Sequence, residues 1–98
     1  MAQTAAYQAA KAGGRHSVFY QVYIRRSSQE IRRGIRSLAR RIQEHEEKIR
    51  TTGQSIAGFA QLDPRQQRAL IEHKWPADIK RLQEQQDILE GILWERTL

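Results

Sequence analysis

The sequence has no cysteine. That excludes a disulfide framework and any thiolate metal site, and it fits a reducing compartment such as the cytoplasm. Proline occurs twice and glycine six times, too few for a sandwich or barrel built from many tight turns. Aromatic residues make up 7% and hydrophobic residues 39%, enough for a thin core of helix stripes but not for a thick multilayer one. No apolar run approaches the roughly 18 residues that a bilayer crossing requires. The N-terminal stretch from Met1 to Ala12 is alanine-rich, but Gln3, Gln8 and Lys11 interrupt it, so it lacks the apolar centre of a secretory signal. Acid is scarce in one region: between Lys11 and Arg41 the single carboxylate is Glu30.

That same region holds Lys11, Arg15, Arg25, Arg26, Arg32, Arg33, Arg36, Arg40 and Arg41, while the rest of the chain is close to balanced and the net charge is +6. A lopsided basic block points to a polyanionic partner: nucleic acid, an anionic membrane surface or an acidic protein. The plainer reading is a solvated helix face. At 98 residues the chain has the size of one domain.

The pattern along the chain is helical. Ala2 to Ala12 has good helix propensity, and Gly13-Gly14 stops it. His16 to Ile24 is aromatic and β-branched, which propensity alone reads as a strand. With no second strand for it to pair with, it reads as a short helix packed on the others, though the pattern leaves helix and strand both open. Ser27 and Glu30 then form a capping box. Ile31, Ile35, Leu38, Ile42 and Ile49 follow on a heptad seam that also carries His45, predicting a helix over 28–50. Gly34 within it costs about 1 kcal/mol relative to alanine and allows another helix to come close.

Thr51-Thr52-Gly53 ends that helix, and 54–62 reads as an irregular connection with Ile56, Phe59 and Leu62 tucked under the core. Asp63-Pro64-Arg65-Gln66 is a second helix start, with Asp at the cap, Pro at the first helical position and Gln at the capping-box position. This helix is expected to break at Trp75-Pro76, because a residue preceding proline avoids the α region. Pro76 opens a last helix to about Arg96, with a stripe of Ile79, Leu82, Leu89 and Leu93. The expected fold is therefore all-α: a single helical domain, 1–98, with short helices in 1–26, a long basic helix in 27–51, a short helix in 63–74 and a long helix in 76–96. The two long amphipathic helices are expected to form an antiparallel hairpin closed by the shorter ones.

Two groups of residues carry candidate chemistry. Arg32, Arg36 and Arg40 share one helix face at i, i+4 and i+8, with Arg33 and Arg41 flanking it and Arg25 and Arg26 extending it. The guanidinium fork suits phosphate, so Arg25, Arg26, Arg32, Arg33, Arg36 and Arg40 are the candidate nucleic-acid-binding residues, giving affinity without base readout. The competing reading pairs them with Glu84, Asp87 and Glu90 across the hairpin. The second group follows Gly13-Gly14. There His16 is a candidate general base, with Arg15 as phosphate clamp and Tyr20 as proton donor, for metal-independent phosphodiester cleavage. The competing reading is a helix C-cap followed by aromatic core residues.

His45 on the seam and His73 near the Trp75-Pro76 corner read as structural. With no HExxH or comparable spacing, no metal is expected, and with no phosphate-loop or dinucleotide fingerprint, no cofactor is expected. Trp75 reads as a packing anchor, and Trp94 as a hairpin cap or an exposed interaction residue.

The stretches Gly13-Gly14-Arg15-His16-Ser17-Val18-Phe19-Tyr20, Leu62-Asp63-Pro64-Arg65-Gln66-Gln67 and Lys74-Trp75-Pro76-Ala77-Asp78-Ile79 together resemble a small helical module. It is similar to cassettes at the C-terminal ends of bacterial polymorphic toxins and of some phage structural proteins. The resemblance covers about Ala6 to Leu93. It implies a bacterial or phage setting and a nucleic-acid-directed toxin, and it carries over no active-site residue.

The leading expectation is a basic helical module that binds DNA or RNA in the cytoplasm. The alternatives are a toxin-type nuclease using His16, and a helical protein–protein module or homodimer using the seam or Trp94. A membrane surface is the least favoured partner.

Overall fold

A computed structural model of the chain describes residues 3–54 and 56–98; Met1, Ala2 and Ser55 of the segments above lie outside them. The described residues are helical and contain no strand. Helix α1 spans Ala5–Lys11, α2 Ser17–Tyr23, and α3 Ser28–Arg50. After a 3-10 turn at Phe59–Gln61 come α4, Pro64–Ala69, and α5, Trp75–Arg96, joined by a π-helical turn at Leu70–Lys74.

The helix ends follow local chemistry. Thr4 Oγ1 accepts from the Tyr7 N–H at 3.2 Å and starts α1. Gly13, at φ 95°, turns the chain out of it, a conformation that costs glycine little. Segment 17–23 becomes a helix because no strand offers it a ladder among the described residues. Its aromatic side is satisfied by packing instead: Tyr20 is buried, and Phe19, Tyr23 and Ile24 lie against the core. At the start of α3, Ser27 Oγ accepts from the Glu30 N–H and donates to the Glu30 carboxylate, both at 3.1 Å. At the start of α4, Asp63 Oδ1 accepts from the Arg65 N–H at 2.7 Å, and Gln66 Oε1 accepts from the Asp63 N–H at 3.2 Å.

The expected break at Trp75-Pro76 does not occur. Trp75 keeps helical angles, φ −66° and ψ −41°, so α4, the π turn and α5 form one path of 33 residues from Pro64 to Arg96. Proline lacks an N–H and its ring collides with the carbonyl four residues back. The wider turn relieves both problems: the Trp75 N–H reaches back to the Leu70 carbonyl, an i→i+5 bond that displaces the carbonyls Pro76 would strike. Trp75 is anchored at this point. It is buried and stacks on Phe59 at 5.8 Å between ring centroids.

The core lies mainly between α3 and α5. Ile31, Leu38 and Ile42 bury against a face of α5 carrying Leu82, Ile88, Leu89 and Ile92. Each such side chain contributes about 1.5–3 kcal/mol by leaving water. Polar contacts fix the sense of the pair. Arg96 Nη1 donates to Ser28 Oγ at 3.0 Å, Gln86 Nε2 lies 3.4 Å from the Ile35 carbonyl, and His45 Nε2 lies 3.5 Å from Asp78 Oδ2. Gly34 does let α5 come close, since a Cβ there would stand 3.0 Å from Leu89 Cδ1 and 3.3 Å from the Tyr23 ring.

Helix α1 docks on the far part of α5. The Tyr7 ring sits directly over Gly91, in the space a Cβ would occupy, and meets Tyr20 edge-on at 5.9 Å. Glu95 holds the rim, accepting from Lys11 Nζ at 2.6 Å and Gln3 Nε2 at 2.9 Å. These hydrogen bonds, Lys11 first, hold its carboxyl down at about 2. The Tyr7 hydroxyl is buried with no hydrogen-bond partner among the described residues. That burial, and then the nearby Glu95 carboxylate, pushes its ionisation well up.

Candidate nucleic-acid interface

The arginines of α3 occupy the side that the core leaves over. Taking Ile31 as the inward direction, Arg32, Arg36, Arg40 and Arg33 stand about 100°, 140°, 180° and 200° round the helix. All four are exposed, as are Arg25, Arg26 and Arg41. From Arg32 to Arg40 the helix rises about 12 Å. Gln43, Glu44 and Glu47 follow on the same side, so the charge changes sign one turn beyond Arg40.

None of the α3 arginines pairs with an acid of α5 among the described residues. Those acids turn elsewhere. Glu84 accepts from Arg15 Nε at 3.1 Å and Arg15 Nη2 at 3.0 Å. Asp78 faces His45, Lys74 and Arg81, and Glu95 faces Lys11. Arg26 pairs with Glu30 one turn on, at 3.2 Å, and that hydrogen bond, then those of Ser27, hold the Glu30 carboxyl below its usual range. Glu47 pairs with Arg50. Arg25, Arg32, Arg33, Arg36, Arg40 and Arg41 make no ion pair among the described residues. Five of the six candidate binding arginines are therefore free, with Arg26 the exception.

The second candidate group divides. Arg15 and His16 converge on Glu84, with His16 Nε2 3.5 Å from Oε1. Burial works to raise the Glu84 carboxyl, but the hydrogen bonds from Arg15 and then His16 outweigh it and hold the group low. His16 occupies the left-handed region at φ 65°, which turns its side chain toward α5 instead of outward. Tyr20 does not join them. Its ring is buried against Tyr7, because it lies on the inner side of α2, so it cannot meet a solvent-borne substrate as a proton donor. Asp87, one turn past Glu84, is pushed up by burial and then by Glu84.

The heptad seam is spent on α5, and Trp94 is half-buried. Besides the C-terminal Leu98, the exposed large apolar side chains among the described residues are Val18 and Val22 on the outer side of α2, in a shallow groove of about 540 Å³ that also reaches Arg25 and Arg26. A second cavity, about 450 Å³, lies in the connection around Gly53, Phe59 and Gln67, and no titratable side chain lines it. No cluster of His, Asp and Glu among the described residues has the geometry of a metal site. No helix among them is long and apolar enough to cross a membrane.

Comparison with protein-family models, curated proteins and solved structures finds no match. The candidate interface therefore rests on its own geometry. Sequence reasoning found the arginine face by its phase. It missed Glu84 as the acid that holds Arg15 and His16, a contact between residues 69 apart that no local pattern signals.

Proposed function

We propose that this chain is a nucleic-acid-binding module. Its α3–α5 antiparallel hairpin acts as a rigid backing, and Arg25, Arg32, Arg33, Arg36 and Arg40 contact phosphate, with Arg26 joining once it leaves Glu30. A cytoplasmic setting suits a partner of this kind, and the toxin or phage context implied by the resemblance is the one proposed for it. One observation carries the reading: a row of arginines from Arg32 to Arg40 that face solvent and make no ion pair among the described residues, while Asp78, Glu84 and Glu95 of α5 are taken up by other cations. A solvated face kept only for solubility has no reason to exclude acids over three turns, since like charges along a helix repel. Phosphate relieves that repulsion.

The nuclease alternative keeps Arg15 and His16 together but lacks Tyr20, and its arginine is already neutralised by Glu84.

The test is salt dependence. Four to five phosphate contacts give a slope of log K against log salt of about −4, a loss of about 10²-fold between 50 and 200 mM. Arg36→Gln combined with Arg40→Gln should flatten the slope by about 2 and leave the helical circular dichroism unchanged. A flat salt response in the wild type would sink the reading. Degradation of added RNA in EDTA would promote the nuclease.

A further inference from the structure

We infer that the polyanion this face prefers is a double helix and not a flexible single strand, an inference that rests on the polyanion-binding reading and narrows it. The first observation is what surrounds the arginines. Proteins that hold single strands combine cationic grooves with aromatic platforms on which bases stack, each worth about 1–3 kcal/mol. Here all seven aromatic residues are buried or half-buried. Tyr7, Tyr20, Phe59 and Trp75 belong to the interior. Tyr23, which lines the same groove as Arg33, has its ring against Phe19 at 4.8 Å and over Gly34. A single strand on this surface would gain phosphate contacts and no stacking.

The second observation is the shape of the face. The molecule is a rod, 51 by 25 by 23 Å, and Arg32, Arg36 and Arg40 stand on one continuous α-helix, α3, at steps of about 6 Å. Their backbone positions are fixed by packing on α5. A duplex is equally fixed, with about one phosphate charge per 1.7 Å of axis. The 12 Å from Arg32 to Arg40 therefore meets about seven charges already in place. A single strand must first be ordered to match the row, and that ordering cost is subtracted from its affinity. Glu44 and Glu47 close the row at its far end and would repel a backbone running on past Arg40. The N-terminal half of α3 is thus the part that lies on the duplex. Regular phosphate on a double helix is the shared chemistry, and B-form DNA and A-form RNA are its two sources.

Fluorescence anisotropy of the full chain, with labelled 20-base-pair DNA and RNA duplexes and the matching 20-nucleotide single strands at one ionic strength, tests this. At least one duplex should bind about tenfold or more tightly than either single strand, with a salt slope nearer −0.9 than −0.7 per contact. Arg36→Gln with Arg40→Gln should weaken duplex binding and narrow the gap between duplex and strand. Single strands bound as tightly as both duplexes, with the salt slope intact, would overturn the duplex inference and leave the polyanion reading standing. No binding to any of the four probes would overturn both. The identity of the tighter duplex assigns the source.

Discussion

Gly91→Ala measures whether α1 docks where the structure places it. The added methyl would enter the Tyr7 ring, which is itself fully buried. Two effects oppose each other. Alanine is better than glycine inside a helix by about 1 kcal/mol. Overpacking costs about 1–3 kcal/mol if the ring shifts in place. If α1 lifts off instead, the loss is the burial of Tyr7, about 1.5–3 kcal/mol, together with hydrogen bonds to Glu95 of about 0.5–1.5 kcal/mol each. So close an approach to the ring takes the upper part of the overpacking range, about 2–3 kcal/mol; less the roughly 1 kcal/mol gained from alanine, this cheaper route sets a net loss of about 1–2 kcal/mol, or a fall in Tm of about 5–15 °C for a domain of this size. Thermal melting at 222 nm reads the loss, and hydrogen exchange at Ala10–Ala12 shows whether α1 has opened. The same substitution in a Tyr7→Ala background meets no ring and should stabilise by about 1 kcal/mol. The two backgrounds thus differ in sign, a coupling of about 2–3 kcal/mol. Gly91→Ala that is neutral or stabilising with Tyr7 present would refute the docking of α1 on α5.

Two further outcomes concern pH. The Glu95 carboxyl is held near 2 against an ordinary 4.5, so its stabilisation is complete above 4.5 and is lost as pH falls toward 2. Glu95→Gln should lower stability at pH 7 and flatten the melting temperature between pH 4.5 and 2; an unchanged acid limb would show that Glu95 does not hold α1. Asp87 has the opposite sign. Its carboxyl is raised by burial, so its charged form opposes folding at neutral pH and is relieved on acidification. Asp87→Asn should melt higher than wild type at pH 7, with the difference shrinking as pH falls, and a lower melting temperature at pH 7 would contradict the assignment.

Much of the fold was legible because its signals are local. The Ser27 cap, the isoleucine seam and the Asp63-Pro64 start each work within four residues, and the structure places α3 and the start of α4 where those signals put them. The arginine face was legible for the same reason: phase on a helix needs only the sequence and the period. The Trp75-Pro76 corner is misleading in sequence because proline conflicts with a regular α-turn, and one π turn removes the conflict. Gly91 was silent, since a glycine mid-helix becomes informative only when the residue filling its space is known. The ion pairs failed in a consistent way. The competing reading pairs Glu84, Asp87 and Glu90 with the arginines of the helix beside them, but Glu84 meets Arg15, 69 residues away, and neither Asp87 nor Glu90 meets an α3 arginine among the described residues. The candidate base His16 was visible as a residue type. Its turn toward Glu84 depends on a left-handed backbone angle that sequence pattern does not encode for histidine.

The neighbours Glu95 and Arg96 impose an order of assembly. Glu95 binds Gln3 and Lys11, while Arg96 donates to Ser28 and to the carbonyls of Ile24 and Arg26 at 2.8–3.1 Å. These contacts close loops of 68 to 92 residues, unusually long for a helical protein, and loop closure must be met before such contacts reward it. The α3 and α5 faces therefore come together first, and the N-terminal helices join last. By the same count α1, held by the buried Tyr7 and Ala10 and by the Glu95 carboxylate, is the unit expected to open first under native conditions, and its release leaves the arginine row in place.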